Sequence, residues 1–380
     1  MEKIIKNLIG WFWGYRIFFV TTKKIKKIKA SIYKTKSLNT DLPYDLVKKY
    51  KNYWSGFGRN ISPDWLKVYV SVSGIFDYRF IPENIYYSEI EPRLNFKPYS
   101  KAWTDKSLYH KFLDRSLLPA VFLRNINGIV LNEDYQPLDQ TELNKLSEEL
   151  RNQELIIKPT IDTGGGKAVA KVSWENGNIK ITPAIGNIEL LADLMNFYRR
   201  NFILQEYIQQ HEFFGQFNET SLNTIRIFTY RSVTDNKIKI LHKILRIGRN
   251  GNIVDNQASG GIACGINIAG ILNEYGVDKY GTKYYYSNSI KFSEINEVPF
   301  LNQITDKAIE VAGEYYYSRL LGLDFCVDHA GRVYLIEVNC LNNEINFYQM
   351  NNGPLFGEYA REIKEYCTKN KKTILLDFEV

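Results

Sequence analysis

Two apolar runs near the C-terminal end of the chain constrain its fold most. Residues 322–327 and 334–339 have the composition of strands, and residues 328–332 between them are typical of a hairpin turn. Side chains two positions apart on a strand point to the same face, so Glu337 and Asn339 share a face. Asp324 lies on the partner strand. The pattern predicts a hairpin that gathers oxygen-bearing side chains at one end.

Three such side chains suit a hard cation. Asp324, Glu337 and Asn339 would provide two carboxylates and an amide, and Mg²⁺ takes such oxygen donors while it keeps waters and phosphate oxygens as further ligands. An acid and an asparagine at a strand end are also common without any metal. Features upstream favour the metal site.

The first upstream feature is a glycine-rich loop after a short apolar strand. The strand, residues 155–159, contains Lys158, and the loop has three consecutive glycines and a second lysine. Glycine lets backbone N–H groups approach phosphate oxygens, and lysine neutralises their charge. The spacing is neither that of a Walker loop nor G-x-G-x-x-G, and a glycine-rich hairpin without a ligand stays the alternative. The candidate phosphate-binding residues of the loop are Gly164, Gly165, Gly166 and Lys167.

Two further segments have weaker signals. An apolar strand, residues 202–208, opens into the polar stretch 209–212, whose backbone could meet an adenine edge and whose carboxylate could meet a ribose. The polar loop 256–262 either supplies N–H donors to an acceptor substrate or an oxyanion, or is only a turn. Its candidate substrate residues are Asn256, Gly260 and Gly261.

The order of these elements resembles the ATP-grasp superfamily, and within it the sugar-transfer-associated branch, over about residues 100–365. No element is distinctive alone, but their sequence and spacing are specific. The matching elements are Asp105–Lys106, residues 157–159 with the glycine loop, residues 205–208, residues 223–226, Asp324, and residues 337–339.

The resemblance implies roles for single residues. Lys106 and Lys158 would bind phosphates, and the loop from Gly164 to Lys167 would close over the β- and γ-phosphates. The predicted Mg²⁺ ligands are Asp324, Glu337 and Asn339. The predicted adenine hinge is Glu206 and Ile208, and the predicted ribose contact is either His211 or Glu212.

One position departs from the family pattern. Many relatives carry an arginine two residues before the metal aspartate, where it stabilises the acyl-phosphate, and here that position is Gly322. Arg226 is the candidate catalytic replacement, together with Lys167 of the loop. The alternative is that Arg226 is a strand arginine that faces solvent.

The resemblance also implies an α+β fold, the ATP-grasp fold, in which ATP is clamped between two β-sheet-containing lobes. A smaller N-terminal lobe and a basic N-terminal helix would precede them. Leu143, Leu146 and Leu150 have helical spacing, as do Leu191, Leu194 and Met195, and both stripes are expected in the core. The predicted units are a basic aromatic segment 1–36, a mixed lobe 37–100, a small ATP-grasp lobe 101–200 and a central lobe 201–380.

The activity implied is an ADP-forming ligase that uses ATP and Mg²⁺. A substrate carboxylate would become an acyl-phosphate, which an amine, or less often a thiol, would then attack. The link of this branch with surface polysaccharides implies a sugar, peptide or lipid-linked glycan as partner. Three alternatives stay open: an ATP-grasp kinase that phosphorylates a small molecule, a non-catalytic ATP-binding protein at the membrane, and a basic peripheral-membrane interaction protein that does not bind ATP.

Charge and cysteine usage limit the partners. The net charge is +7, but residues 1–36 hold ten Lys and Arg and one acid, so residues 37–380 sum to −2. The basic character therefore belongs to the N-terminal segment and argues against a nucleic-acid surface. The four cysteines have no CxxC spacing, which predicts no disulfide framework or zinc site and favours the cytoplasm.

The N-terminal segment is apolar and aromatic from Leu8 to Val20 and then rich in lysine. Thirteen residues are too few to span a bilayer, which takes about 20, and no secretory cleavage site follows. Aromatic residues beside lysines suit an interfacial helix on the anionic inner membrane surface. A helix packed on the protein body is the alternative.

Overall fold

The computed structural model describes residues 2–34, 41–58, 60–161, 166, 168–175, 178–183, 191–249, 251, 254, 255 and 257–370. The helices within these ranges are α1 Glu2–Lys34, α2 Tyr44–Trp54, α3 Asp64–Ser73, α4 Glu83–Ile85, α5 Glu91–Leu94, α6 Lys97–Ser100, α7 Gln140–Glu149, α8 Leu191–Tyr198, α9 Glu212–Gly215, α10 Leu301–Glu314, α11 Asn346–Asn352 and α12 Ala360–Lys369.

The described strands form two large antiparallel sheets and a short hairpin. They are β1 Val121–Ile126, β2 Ile129–Leu131, β3 Leu155–Pro159, β4 Ala170–Glu175, β5 Asn178–Thr182, β6 Phe202–Glu206, β7 Thr224–Arg231, β8 Ile238–Ile247, β9 Ile262–Ile266, β10 Leu272–Val277, β11 Lys283–Tyr284, β12 Tyr286–Ser287, β13 Ile290–Lys291, β14 Leu320–Val327 and β15 Val333–Asn339.

The larger sheet has the strand order β11-β10-β9-β8-β7-β14-β15. Both of its faces are covered: Ile225 and Ile227 lie in the same apolar core as α10, whereas Phe228 and Tyr230 lie in the core that includes α3 and α11. Every residue of β14 is buried as a result. The predicted hairpin is confirmed, because β14 pairs with β15 and Asp324 lies opposite Glu337.

The smaller sheet has the strand order β2-β1-β6-β3-β4-β5. Its apolar core joins the buried faces of β3 and β6 to α7 and α8. Of the two stripes that the sequence predicts to lie in the core, Leu150 and Leu194 are buried and Leu143, Leu146, Leu191 and Met195 pack against the core half-buried. The strand β6 lies between β1 and β3 in this sheet, although the predicted boundary at residue 200 placed it in the larger lobe. The chain therefore leaves the smaller sheet after Glu206.

The N-terminal region 37–100 was predicted as a mixed lobe, but its described part is helical and contains no strand of either sheet. Its aromatic side chains account for much of the burial, with Trp54, Trp65 and Tyr69 all nearly inaccessible to solvent. They share one apolar core with a face of the larger sheet. This region therefore backs the sheet that carries the predicted metal residues.

The helix α1 docks on this region with one face. Ile25, Ile28 and Ile32 are buried, and the Lys24 ammonium lies 2.6 Å from carboxylate oxygens of both Glu83 and Glu344. The first half of the helix exposes its apolar side chains instead. None of the described helices combines the length and apolar character needed to cross a membrane.

Candidate active site

A cleft lies between the two sheets and encloses about 1060 Å³ of empty volume, including the part open to solvent. Part of its wall is apolar, where Ile208, Leu222 and Ile336 belong to a small cluster of their own. The rest of the wall is charged. The charged residues that line the cleft are Lys106, Lys158, Lys171, Glu206, Arg246, Asp255, Asp324 and Glu337.

An irregularity in the hairpin shapes the cleft wall. The pairing of β14 with β15 runs from Asp324 opposite Glu337 to Phe325 opposite Leu335, so Ile336 is an extra residue in β15. Such a bulge bends the strand and changes where its side chains point. Ile336 and Glu337 consequently both line the cleft, although regular alternation would place neighbours on opposite faces.

The Asp324 carboxylate is held by two arginines. Arg226 lies directly opposite on β7 and donates from Nε to Oδ1 at 2.6 Å and from Nη2 to Oδ2 at 2.5 Å. Arg246 donates from Nη1 to Oδ2 at 2.9 Å. Burial alone would raise the pKa of Asp324, but the two guanidinium groups outweigh it and hold that pKa below its usual value.

The Glu337 carboxylate is paired with a predicted phosphate-binding lysine. Lys106 Nζ lies 2.7 Å from Oε1 of Glu337, and this pairing outweighs burial and lowers the pKa of Glu337. Lys158 is 7% exposed and forms no ion pair with a described carboxylate. Burial, and then the charge of Lys106, lower the pKa of Lys158 to about 8. Of the two lysines only Lys106 has a carboxylate partner among the described residues, so the pair suits an added anion such as phosphate.

The predicted metal ligands lie on neighbouring strands. Asp324 and Glu337 are opposite each other, Asn339 follows two residues later, and the Asn339 side-chain nitrogen is buried without a hydrogen-bond partner. Among the described residues no group of three His, Cys, Asp or Glu side chains is placed to hold a metal. The candidate set instead has two carboxylates and an amide, oxygen donors that fit Mg²⁺.

The predicted adenine residues line the cleft, but the two ribose candidates do not. Glu206 and Ile208 are part of the wall, although Oε1 of Glu206 accepts a hydrogen bond from the N–H of Ala120. His211 caps α9 by accepting from a backbone N–H, and Glu212 is exposed in the first turn of that helix. Neither belongs to the cleft lining.

Several loop predictions lie outside the described residues: Gly164, Gly165, Lys167 and Asn256. Gly166 is described, lines the cleft and has a φ of 67°, a backbone conformation that glycine adopts readily. Gly260 and Gly261 precede β9 and are not part of the cleft lining.

Close packing explains why Gly322 replaces the family arginine. A Cβ atom at this position would lie 2.8 Å from Oδ1 of Asn343 and 3.6 Å from the hydroxyl of Tyr348. No larger side chain is accommodated without rearrangement. The arginine beside Asp324 comes from another strand instead, since Arg226 is on β7, but Arg226 itself does not line the cleft.

The sequence interpretation missed three charged residues of the wall, Lys171, Arg246 and Asp255, and gave Thr224 no role of its own. Thr224 lies opposite Arg246 in the pairing of β7 with β8, so the two share a face with Arg226. The regular alternation of β7 was the available signal for Thr224. The position of Arg246 depends on strand register, which the sequence does not specify by itself.

Residues 87–365 match the family of sugar-transfer-associated ATP-grasp proteins. Because the match spans well over half of the chain, the protein belongs to this family. Membership confirms the predicted family and the α+β ATP-grasp fold. It also confirms the assignment to the ATP-grasp enzymes.

Several solved structures are similar in fold. The N5-carboxyaminoimidazole synthetase of Staphylococcus aureus, complexed with ADP, is 9% identical with a TM-score of 0.37, over 63% of this chain and 45% of that chain. The ATP-grasp ligase PsnB, complexed with a precursor variant, Mg and ADP, is 11% identical with a TM-score of 0.39, over 71% and 60%. The D-alanyl-alanine synthetase A of Vibrio cholerae is 12% identical with a TM-score of 0.38, over 70% and 64%.

The chain spans less than two thirds of the length of each of these three solved chains. Similarities of this size carry no argument about activity or substrate. No curated protein sequence matches this chain.

Proposed function

We propose that this protein is an ADP-forming ligase that joins a substrate carboxylate to an amine or, less often, to a thiol. The observation that carries the proposal is the charged wall of the cleft in a member of the ATP-grasp family. Basic and acidic side chains form ion pairs there: Lys106 is paired with Glu337, and Asp324 is paired with two arginines. The cleft thus has positively charged groups that could bind a nucleotide phosphate and carboxylates that could bind its cation.

ATP would bind with its base against the apolar wall. The N–H of Ile208 forms no backbone hydrogen bond in the described part of the chain and would be available to the adenine edge. Lys106 and Lys158 would neutralise phosphate oxygens. Mg²⁺, held by Asp324, Glu337 and Asn339, would supply further neutralisation of phosphate charge.

The proposed reaction has two steps. A carboxylate oxygen of the substrate attacks the γ-phosphorus, the bond to the β-phosphate oxygen breaks, and ADP leaves. The amine then attacks the acyl carbon, phosphate leaves, and the amine loses a proton. The protein provides no covalent nucleophile, since such phosphoryl transfer depends on positioning and on charge neutralisation.

The substrates are proposed from the family description. Its association with sugar transfer supports an amino sugar, a peptide or a lipid-linked glycan as the acceptor, in the synthesis of a surface polysaccharide. The proposed location is the cytoplasm, in part at the inner membrane surface.

The membrane contact would be made by α1. Large apolar side chains are exposed along it up to Val20, with Arg16 among them, and Lys23, Lys26 and Lys27 are exposed after them. Aromatic side chains at the interface and lysines over anionic lipid headgroups would hold such a helix on a membrane. The exposed apolar residues of this stretch are Ile4, Ile5, Leu8, Trp11, Phe12, Tyr15, Phe18, Phe19 and Val20.

Sedimentation with vesicles tests this contact. The Trp11→Ser/Phe12→Ser variant is expected to lose most of its binding to vesicles that contain phosphatidylserine. Tyr33→Ser is the matched control, since Tyr33 is an exposed aromatic residue on the same helix. Equal sedimentation of the variant and the control would contradict the membrane proposal.

Product analysis tests the reaction. The protein is incubated with Mg–ATP and pools of carboxylic acids, amino acids and amino sugars, and the masses of the products are measured by mass spectrometry. A ligase forms ADP, free phosphate and a product whose mass is that of the two substrates minus water. A phosphorylated product without free phosphate would identify a kinase, and binding of ATP without ADP formation would identify a non-catalytic protein.

A further inference from the structure

Arg246 lies in the charged wall of the cleft, where the roles above leave it without a function. It is 6% exposed and belongs to the cleft lining. Its guanidinium lies between two acids: Nη1 donates to Asp324 Oδ2 at 2.9 Å, and Nη2 is 3.2 Å from Asp255 Oδ1. A buried arginine at the wall of a cleft is a group suited to bind an anion.

A second set of contacts fixes the orientation of Arg246. Oδ2 of Asp255 accepts hydrogen bonds from both the backbone N–H and the hydroxyl of Thr224, so its other oxygen is the one near Arg246. Thr224 is itself opposite Arg246 in the sheet. Asp324 and Asp255 therefore fix the guanidinium from two sides, and a donor that is already fixed loses less conformational entropy when it binds a ligand.

Arg226 is arranged differently. Two of its nitrogens donate to the same carboxylate, that of Asp324, and its guanidinium carbon lies 6.0 Å from the centre of the Phe347 ring. Arg226 does not line the cleft, whereas Arg246 does. Of the two arginines beside Asp324, Arg226 is therefore placed to hold the aspartate, and Arg246 is placed to meet a ligand.

The position of Arg246 limits what this ligand is. The chain of contacts runs from Lys106 through Glu337 and Asp324 to Arg246. Two acids thus separate Arg246 from the lysines that would neutralise the phosphates. An anion bound at Arg246 would lie beside the phosphate-binding part of the cleft without being one of the phosphates, which is where an attacking carboxylate has to be held.

We propose that Arg246 anchors the carboxylate of the acyl substrate, and that Asp255 and Thr224 position the guanidinium. The planar guanidinium matches a carboxylate with parallel hydrogen bonds, which a lysine ammonium cannot reproduce. This inference rests on the proposed ligase function and adds to it the site at which the carboxylate binds.

Thermal unfolding of the full-length protein at saturating Mg–ADP tests the proposal, with acetate, glycine and L-glutamate as the carboxylate probes. In the wild type, at least one probe is expected to raise the melting temperature above the value with Mg–ADP alone, and this rise should level off as the probe concentration increases. In Arg246→Gln the apparent dissociation constant of that probe is expected to rise at least about tenfold. The rise in melting temperature caused by Mg–ADP is measured first in each variant, so that carboxylate binding is compared at saturating nucleotide.

Further variants keep the result interpretable. Arg246→Lys retains the positive charge but not the planar guanidinium, and it is also expected to bind the carboxylate probe more weakly. If Arg246→Gln does not fold, the affinity measured with Arg246→Lys tests the proposal in its place. Arg231→Gln is the matched control: it removes an arginine of β7 that donates to carbonyl oxygens of α10, and it should bind the probe like the wild type.

The outcomes separate the two proposals. Absence of any response to Mg–ADP in the wild type would contradict the proposed function itself. A response to Mg–ADP combined with unchanged carboxylate binding in both Arg246 variants would overturn only the role of Arg246. Absence of a carboxylate response in the wild type, with Mg–ADP bound, would also overturn that role.

Discussion

Lys106 Nζ lies 2.7 Å from Oε1 of Glu337, so a predicted phosphate-binding lysine is paired with a predicted metal-binding carboxylate. The lysine starts a 3-10 helix that precedes the smaller sheet, and the glutamate lies on β15 of the larger sheet. The pair thus joins the two walls of the cleft. Each partner neutralises the other, and binding of Mg–ATP would replace this pair with contacts to phosphate and cation.

The carboxylate of Glu337 is expected to be needed for the metal-dependent part of nucleotide binding. In the wild type, ADP should raise the melting temperature more with Mg²⁺ than with a chelator. The difference between the two rises, the Mg²⁺ increment, should disappear in Glu337→Gln. The rate of ADP formation should fall by roughly 10²–10³-fold. Glu310→Gln, at an exposed acid of α10, is the control, and an increment that survives in Glu337→Gln would exclude the glutamate from the metal site.

Lys158 is expected to control nucleotide affinity. Lys158→Met should weaken ADP binding at least about tenfold, because a buried cation beside the phosphates is lost. Lys180→Met removes an exposed lysine of the same sheet and should bind ADP like the wild type. Calorimetric titration measures both, and equal affinities would contradict the phosphate role of Lys158.

The same lysine predicts a pH dependence. The pKa of Lys158 is lowered to about 8 by burial and by Lys106, and phosphate favours its protonated form. The affinity for ADP should therefore fall as the pH rises through about 8. Titrations from about pH 7 to about pH 9 should show this fall in the wild type and lose most of it in Lys158→Met.

Two glycines are expected to respond to alanine with opposite signs. Gly322→Ala should destabilise the protein by about 1–3 kcal/mol, since its Cβ would lie 2.8 Å from Oδ1 of Asn343. Gly313 lies near the end of α10 with no atom within 4 Å of an added Cβ, so Gly313→Ala should stabilise by about 0.5–1 kcal/mol. Urea unfolding measures both free energies; a neutral Gly322→Ala would contradict the close packing.

The docking of α1 is expected to depend on Lys24, which is paired with Glu83 and Glu344. Lys24→Met would leave the buried Glu83 without its cation and should cost about 2 kcal/mol, less than for a fully buried pair because Lys24 is partly exposed. Lys27→Met, at an exposed position of α1, should have little effect. Equal urea midpoints for the two variants would show that the ion pairs do not secure the helix.

The sequence by itself determined the elements with local signals. Alternating apolar residues and a turn predicted the hairpin of β14 and β15, and leucines at helical spacing predicted the buried faces of α7 and α8. The order of motifs predicted the family, which the match over residues 87–365 confirms. These inferences succeeded because strand and helix periodicity are properties of neighbouring residues.

Tertiary structure decided which charged groups meet. Asp324 is opposite both Arg226 and Glu337 because of the order and register of three strands, and Arg246 reaches the same carboxylate from a fourth. A shift of one residue in any register would turn these side chains to the other face. His211 and Glu212, at the start of α9, likewise do not line the cleft. Such contacts join residues about a hundred positions apart, so no local pattern specifies them.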